Sequence, residues 1–476
     1  MESYDHLVIS VRGGRVLSAR VCIIGAGSSG ITACQVLQAR GIEFDCYEAG
    51  SEVGGNWRYL NDNGMSSAYK SLHINTSREV MEYRSFPMRH DYPTYPNHVH
   101  IAHYFDRFVD HFGFRDRISF KSEVISVVPA DDGWDVTVRR GDAEPTTHRY
   151  EAVLVANGHH WDPRWPEPAF PGADTFRGVQ THAHYYKTFD DYVGKRVLVL
   201  GIGNSACDIA VETCKVADRT FLAMRRGAHV VPKYVFGIPT DHLVTSPLAR
   251  MKYGRIQRGV TGLVLRLARG DVTKYGLPEP DHKLGQAHPT VSDDLLVRLG
   301  HGDITVKPNI ERLDGDTVHF VDGTSEQIDV IVYCTGYKIT FPFLDTALLE
   351  AHDNEISLFR RVVDPQHPGL YFLGLVQPLG AIMPLAEAQA EWIADLLAGR
   401  ATLPSEAEMR REIDAYHRSV RKRYVRSKRH TIEVDFLEHL AELKKERAAG
   451  TRRGGHSRAL SADVLAQQRD EARAPR

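Results

Sequence analysis

Two short glycine patterns carry most of the chemical information in this chain: Gly25-Ala26-Gly27-Ser28-Ser29-Gly30 and Gly201-Ile202-Gly203-Asn204-Ser205-Ala206. Each places small residues where a chain must turn tightly, bring its backbone close to a pyrophosphate, and pack a helix against a sheet. A helix that starts at such a turn offers unpaired N–H donors and the positive end of its dipole, so an anion is favoured there. The charged residues beyond the two patterns differ. Glu48, eighteen residues past Gly30, stands where a carboxylate bonds ribose hydroxyls. The second pattern leads instead to Arg225 and Arg226, whose guanidinium groups pair with a phosphate dianion that an acid would repel. That favours NADPH over NADH at the second site. Two unlike nucleotide sites in one chain imply electron traffic between two cofactors, in the usual case a nicotinamide that reduces a flavin.

The flanking residues supply the elements that position these groups. VCIIGAGSSG is an apolar run turning into glycines, and ITACQVLQARG has apolar positions at helical spacing, which predicts strand, turn and helix. FDCYEAG adds a strand ending at Glu48 and completes a βαβ unit. KRVLVLGIGNSACDIAVETCKVADRTFLAMRRG repeats the grammar. EVISVVPA, WDVTVRR and EAVLVANGHH extend the first domain, and QIDVIVYCTGY and LYFLGLVQPLG read as strands that return to its sheet. The expected fold class is α/β, with two Rossmann-like dinucleotide-binding domains, the second inserted in the first. The expected divisions are an N-terminal extension over 1–19, the first domain over 20–165, the inserted domain over 166–330, the rest of the first domain with C-terminal helices over 331–447, and a disordered tail over 448–476. Few large apolar residues lie in that tail, too few to offset its ordering entropy.

Composition removes other classes. The chain has 476 residues, 42% of them hydrophobic, and a formal net charge of -2. No global field selects nucleic acid or an anionic membrane. The six cysteines, Cys22, Cys34, Cys46, Cys207, Cys214 and Cys334, form no CxxC pair and no zinc-spaced cluster, so no metal is expected and disulfide reductases are excluded. Oxidases and monooxygenases remain. No signal-peptide core and no run of ~20 apolar residues is present, which predicts a soluble, cytoplasmic protein.

Phe176-Arg177-Gly178-Val179-Gln180-Thr181-His182-Ala183-His184-Tyr185-Tyr186 follows the FxGxxxHxxxY pattern, and through it the chain resembles the flavin-containing monooxygenase family. GGNWRY from Gly54, YKSLHINTSREVMEYRSFPM from Tyr69, HPTVSDDL from His288, CTGY from Cys334 and GLVQPLGAIMP from Gly374 also look like family segments. The resemblance implies FAD at Gly25 to Gly30, Glu48, Asn56, Trp57, Asn75 and Thr76. It implies NADPH at Ile74 with Asn75, at Ser205 to Asp208 (Ala206 and Cys207 included) and at Arg225. Gly201, Gly203, Asn204 and Arg226 complete the second site, and Thr335 and Gln377 are carried over as further cofactor contacts. Phe176, Gly178, His182 and Tyr186 are read as linking the two domains, so a structural role for His182 is preferred over proton transfer. Asn75 is the leading catalytic residue, because in the family this asparagine lies beside flavin and nicotinamide. The roles of His73, His159 and His160 stay open.

The activity so implied is transfer of one oxygen atom from O2, through a flavin C(4a)-hydroperoxide, to a nitrogen or sulfur nucleophile of a small molecule. A Baeyer-Villiger reaction on ketones is the alternative. Tyr185-Tyr186-Lys187 stands where that related group has Trp-Pro after the fingerprint histidine, which favours the heteroatom. A non-catalytic NADPH-binding flavoprotein is the third reading. Animal members of the family carry an apolar C-terminal anchor; the polar end of this chain predicts none. Oligomeric state, a homo-oligomer included, is open.

Overall fold

A computed structural model of the chain describes residues 10–12, 15–17, 20–245, 270–349, 351, 354–423 and 431–471. Most of the N-terminal extension and the last five residues lie outside that set. Within it, Ser10–Arg12 and Arg15–Leu17 pair as a small antiparallel hairpin.

Two five-stranded parallel sheets organise the molecule. The first runs in the order Leu370–Phe372, Ala152–Val155, Arg20–Ile24, Glu43–Tyr47, Ile118–Ser119. The second runs Val179–His182, Val330–Tyr333, Arg196–Leu200, Arg219–Ala223, Ile304–Lys307. Their central strands are apolar on both faces and buried on both, as parallel strands covered by helices must be. Truncating one of these side chains, Ile23 for example, removes about 2–5 kcal/mol.

The helix Ser28–Ala39 covers the first sheet. It starts at Gly27 and stops at Arg40, just before Gly41 turns left-handed at φ +65°. The helix Met383–Leu397 packs on it and buries Leu385, Ala390, Trp392 and Ile393. Asn204–Thr213 is its counterpart on the second sheet. Each sheet also has a three-stranded antiparallel annex, Ser122–Ala130 with Gly133–Arg140 and Thr146–Tyr150, and Ile310–Asp314 with Thr317–Phe320 and Ser325–Gln327. The two domains therefore repeat one plan.

Two sequence expectations need correction. QIDVIVYCTGY does not return to the first sheet: Val330–Tyr333 pairs with Arg196–Leu200 and with Val179–His182, so a boundary after residue 330 cuts a strand of the inserted domain. A fully apolar strand has no face pattern to say which sheet receives it. The return is made at Leu370–Phe372. Nor does ordered structure stop at 447. One helix spans Phe436–Glu471, and Arg453 donates from Nε and Nη2 to the Thr402 carbonyl at 3.1 and 2.9 Å. The helix docks by Phe436, Leu440 and Leu443 in its first turns and by these hydrogen bonds further on.

The crossing between domains is a two-stranded strap. Asp162–Pro163 pairs antiparallel with Tyr337–Lys338, and the Arg164 N–H donates to the Gly336 carbonyl at 2.9 Å. The six cysteines are unpaired, and four of them are buried as packing residues.

Candidate active site

The first glycine loop is fixed by close backbone approaches. A Cβ on Gly25 (φ +97°) would lie 2.8 Å from the Ala156 carbonyl oxygen, and one on Gly30 would lie 1.8 Å from the Gly25 oxygen. Gly27 differs: its Cβ would meet only Gly55 Cα at 3.7 Å, an ordinary contact. Gly27 caps the helix without a side-chain bond, and no acid occupies the first turn to offset the positive end of the helix. Glu48 is buried and accepts from the N–H groups of Ala26 and Gly50, both at 2.7 Å, and from the Asn63 amide at 3.2 Å. Burial pushes its carboxyl up while these donors pull it back. Oε2 takes one donor only, which leaves a lone pair for a ribose hydroxyl.

Gly374 (φ +69°) closes over the helix start, where a Cβ would come within 2.1 Å of Ser29 Oγ. Its N–H donates to Gln389 at 2.9 Å. A narrow cleft lies beside it, lined by Asn157, His159, Phe341, Phe372 and Leu375 among others. Asn56 Oδ1 accepts from the Ser67 N–H and hydroxyl, both at 2.8 Å, and Trp57 ends a short 3-10 turn that begins at Gly55.

The second loop copies the first. The Gly25 N–H donates to Tyr47 O and the Gly201 N–H to Ala223 O, both at 2.8 Å. A Cβ on Gly201 would lie 2.9 Å from the Cys334 oxygen. Gly203 caps Asn204–Thr213, again without a side-chain bond. Asn204 Oδ1 accepts from Val291 N at 2.8 Å, and Thr290 donates to Ile202 O at 2.5 Å, so the segment after His288 braces this loop. Ala206 and Cys207 are wholly buried and pack in the core of the inserted domain. Arg225 is exposed, and among the described residues it has no ion-pair partner. Arg226 lies near Asp281, whose carboxyl is held below its usual range by the His282 bond and then by the arginine's charge.

Two carried-over residues are occupied otherwise, and a third is not. Asp208 accepts a hydrogen bond from Tyr69 of the first domain rather than facing the glycine loop. The Thr335 hydroxyl donates to the Arg164 carbonyl in the strap. The Gln377 backbone pairs with Ile432 at 2.9 Å, leaving its side chain uncommitted.

The fingerprint residues pack mainly within the inserted domain, and Tyr186 reaches the first domain, its ring 5.8 Å from that of Tyr69. Gly178 is packed so tightly that a Cβ would lie 2.5 Å from the Phe176 ring and 2.7 Å from Asp329 O. His182 is fully buried; its Nδ1 accepts from His184 N at 3.1 Å, and burial pushes its pKa down to about 4. A neutral ring that already accepts a bond is a brace. Tyr186 donates to Glu212 at 2.6 Å, and Ser71 donates to the same carboxylate. Lys187 Nζ donates to Ser66 O at 2.6 Å and His184 O at 2.9 Å, and burial pushes its pKa down to about 8. Tyr69, Ser71, Lys187 and Glu212 carry no signal in the glycine patterns or the fingerprint spacing. The i, i+4 spacing of Asp208 and Glu212 on one helix face is the sequence feature that could have found them.

Ile74-Asn75-Thr76-Ser77 leads into the short helix Arg78–Met81. Ile74 is buried and its N–H donates to Pro96 O at 3.0 Å. Asn75 is half-buried, and among the described residues its amide has no hydrogen-bond partner. Thr76 and Ser77 are buried. Of the histidines left open, His73 is exposed, His159 lines the cleft with its pKa pushed down to about 4 by burial, and His160 lies against Tyr337. Among the described residues no group of His, Cys, Asp and Glu could hold a metal, and no helix is long and apolar enough to cross a membrane.

Two parallel-sheet nucleotide folds, one inserted in the other and clamped to it, define a two-domain flavoprotein oxidoreductase architecture. Residues 18–452 match the model of the FMO-like family, described as flavin-binding monooxygenase-like. Flavin-containing monooxygenase 5 of Oryctolagus cuniculus is 36% identical over 444 residues, covering 89% of this chain and 82% of that protein. Dimethylaniline monooxygenase [N-oxide-forming] 2 of Rattus norvegicus is 35% identical over 441 residues, covering 90% and 82%. Among solved structures, S-allyl-L-cysteine S-oxygenase from Allium sativum shares the fold with a TM-score of 0.69 at 24% identity, over 96% of this chain and 98% of that one. Cyclohexanone monooxygenase in its open form gives 0.69 at 16% identity, over 91% and 99%. This chain belongs to the flavin-binding monooxygenase family and is an oxidoreductase of that class, whose members use FAD and NADPH.

Proposed function

We propose that the protein uses NADPH and FAD to place one atom of O2 on a soft nitrogen or sulfur nucleophile of a small molecule. The observation that carries this reading is the pair of unlike cradles, one ending in Glu48 and the other in Arg225 and Arg226, held in one clamped body. The names of the amine-N-oxide-forming relative and of the S-oxygenase with the same fold support it.

The residues divide the work. The helix start after Gly27 holds the FAD pyrophosphate, and Glu48 takes its ribose. The helix start after Gly203 holds the second pyrophosphate, and Arg225 with Arg226 takes the 2'-phosphate. Asn56, Trp57, Thr76 and Gln377 line the flavin, and Asn75, with an amide that can donate and accept, directs a hydrogen bond toward the reacting oxygen. Held there, FAD would supply the redox chemistry, hydride acceptance from NADPH and activation of O2. The buried Ile74 and Thr76 and the Tyr69 and Tyr186 clamp keep water from that region.

The Baeyer-Villiger reading rests on the likeness in fold to cyclohexanone monooxygenase; Tyr185-Tyr186-Lys187 speaks against it. Product analysis with NADPH and one tertiary amine, one sulfide and one ketone separates the readings. N-oxide or sulfoxide is expected. Ester alone overturns the heteroatom reading, and NADPH oxidation without any oxygenated product overturns both. In Asn75→Ala, flavin reduction should persist while hydrogen peroxide rises and product falls.

A further inference from the structure

The segment that carries Asn75 is anchored from the other domain. From Ile74 to Arg78, the first donates its N–H to Pro96 and the last to Thr94, at 3.0 and 2.9 Å, both within the first domain. Between them, the backbone donor with a partner among the described residues is Ser77, whose N–H donates to Asp241 Oδ2 at 2.7 Å. Asp241 lies in the helix Thr240–Thr245 of the inserted domain. The Ser77 hydroxyl donates to the same carboxylate oxygen at 2.7 Å. A hydroxyl has one proton, so His242 Nε2, 2.9 Å from Ser77 Oγ, must be the donor in that contact. Glu79 faces His242 at 3.9 Å.

Ser77 also occupies the N-cap of Arg78–Met81, where serine ordinarily bonds its own helix; here no such bond forms. The hydroxyl is turned across the domain boundary instead. Ser77 is fully buried while Asp241 is half-buried, and both bonds run to a carboxylate and are charge-assisted.

We propose that Asp241 is a positioning residue for Asn75: by gripping Ser77 through two hydrogen bonds, it makes the placement of that amide depend on the docked inserted domain. The proposal rests on the reading of Asn75 given above. It divides the reaction in two. Hydride transfer needs the cradles, whereas productive oxygen transfer also needs the grip.

The test uses the full-length, FAD-loaded enzyme with Asp241→Ala, Asp241→Asn, Ser77→Ala and Asn75→Ala side by side. Flavin reduction by NADPH, product formed per NADPH, and peroxide released are measured for each. In Asp241→Ala, reduction should stay within about twofold of the unmodified rate, while peroxide release rises at least about tenfold, since both charge-assisted bonds are lost and one alone is worth about that factor. Asp241→Asn keeps an oxygen acceptor and should recover most of the coupling; Ser77→Ala removes one of the two donors and should fall between. If Asp241→Ala does not fold, Ser77→Ala and Asp241→Asn carry the test, and unmodified coupling in Ser77→Ala overturns the proposal. Full coupling in Asp241→Ala with loss in Asn75→Ala overturns the grip alone. Full coupling in Asn75→Ala overturns the reading beneath it. Equal losses of reduction and product in Asp241→Ala mean a merely structural contact and also overturn it.

Discussion

The hydroxyl of Tyr69 donates to the carboxylate of Asp208, joining the first domain to the helix that opens the second nucleotide site. Burial pushes Asp208 up to about 6; the Tyr69 bond and Lys233 offset part of that and Asp294 adds to it. The folded protein therefore holds this proton more tightly than the unfolded chain. The stability from that proton is complete below about pH 4 and lost as pH rises through about 6. Asp208→Asn, which still accepts from Tyr69, should be more stable than the unmodified protein at pH 7, by at most about 3 kcal/mol, and equal to it near pH 4. Thermal unfolding at both pH values checks this; equal melting points at pH 7 would sink it.

Gly27→Val should fold and lose its flavin. An added Cβ at Gly27 meets the Gly55 backbone at an ordinary 3.7 Å, so the fold should accept the side chain and the valine should compete with the ligand. Gly30→Ala instead strikes the Gly25 backbone at 1.8 Å and should lower expression itself. Flavin absorbance per folded protein distinguishes the two. A yellow Gly27→Val would contradict the placement of the site.

Arg225→Ala should narrow the preference for NADPH over NADH. Each charge-assisted bond to the 2'-phosphate contributes about 1.5–3 kcal/mol, roughly ten- to hundredfold in the ratio of kcat/KM values. The change should come from NADPH, with NADH nearly unaffected. Equal use of both nucleotides by the unmodified enzyme rules the assignment out.

Ending the chain at residue 449 should destabilise it. The cut removes Arg453, which bonds the Thr402 carbonyl twice and pairs with Glu446. Arg453→Ala should reproduce part of the drop. A truncated protein with unchanged melting temperature means that the end of this helix adds nothing to the fold.

Both cradles were legible in the sequence because their requirements are local: Gly25 and Gly201 need positive φ and close backbone neighbours, and the patterns announce both. The strands before Glu48 and before the arginines were legible for the same reason: Glu43–Tyr47 ends one residue before Glu48, and Arg219–Ala223 ends two before Arg225. The sheet that takes Val330–Tyr333 was not, because an apolar run has no sidedness. Nor were the pairs Tyr69 with Asp208, Tyr186 with Glu212 and Ser77 with Asp241. Their members are ordinary polar residues far apart in the chain, and only the folded arrangement makes them partners.

The strap also bears on the order of folding. Ala152–Val155 must pair with Leu370–Phe372 across the whole inserted domain, a distant closure that is slow and costly in chain entropy while the intervening residues are a coil. The pairing of Asp162–Pro163 with Tyr337–Lys338 brings the two ends of the insertion together. Once the insertion has folded, it therefore behaves toward its host like a short hairpin loop, and the last strand of the host sheet is delivered beside its neighbour. The host sheet should thus complete itself only after the insertion does, so a lesion in the core of the second sheet would delay the maturation of the first.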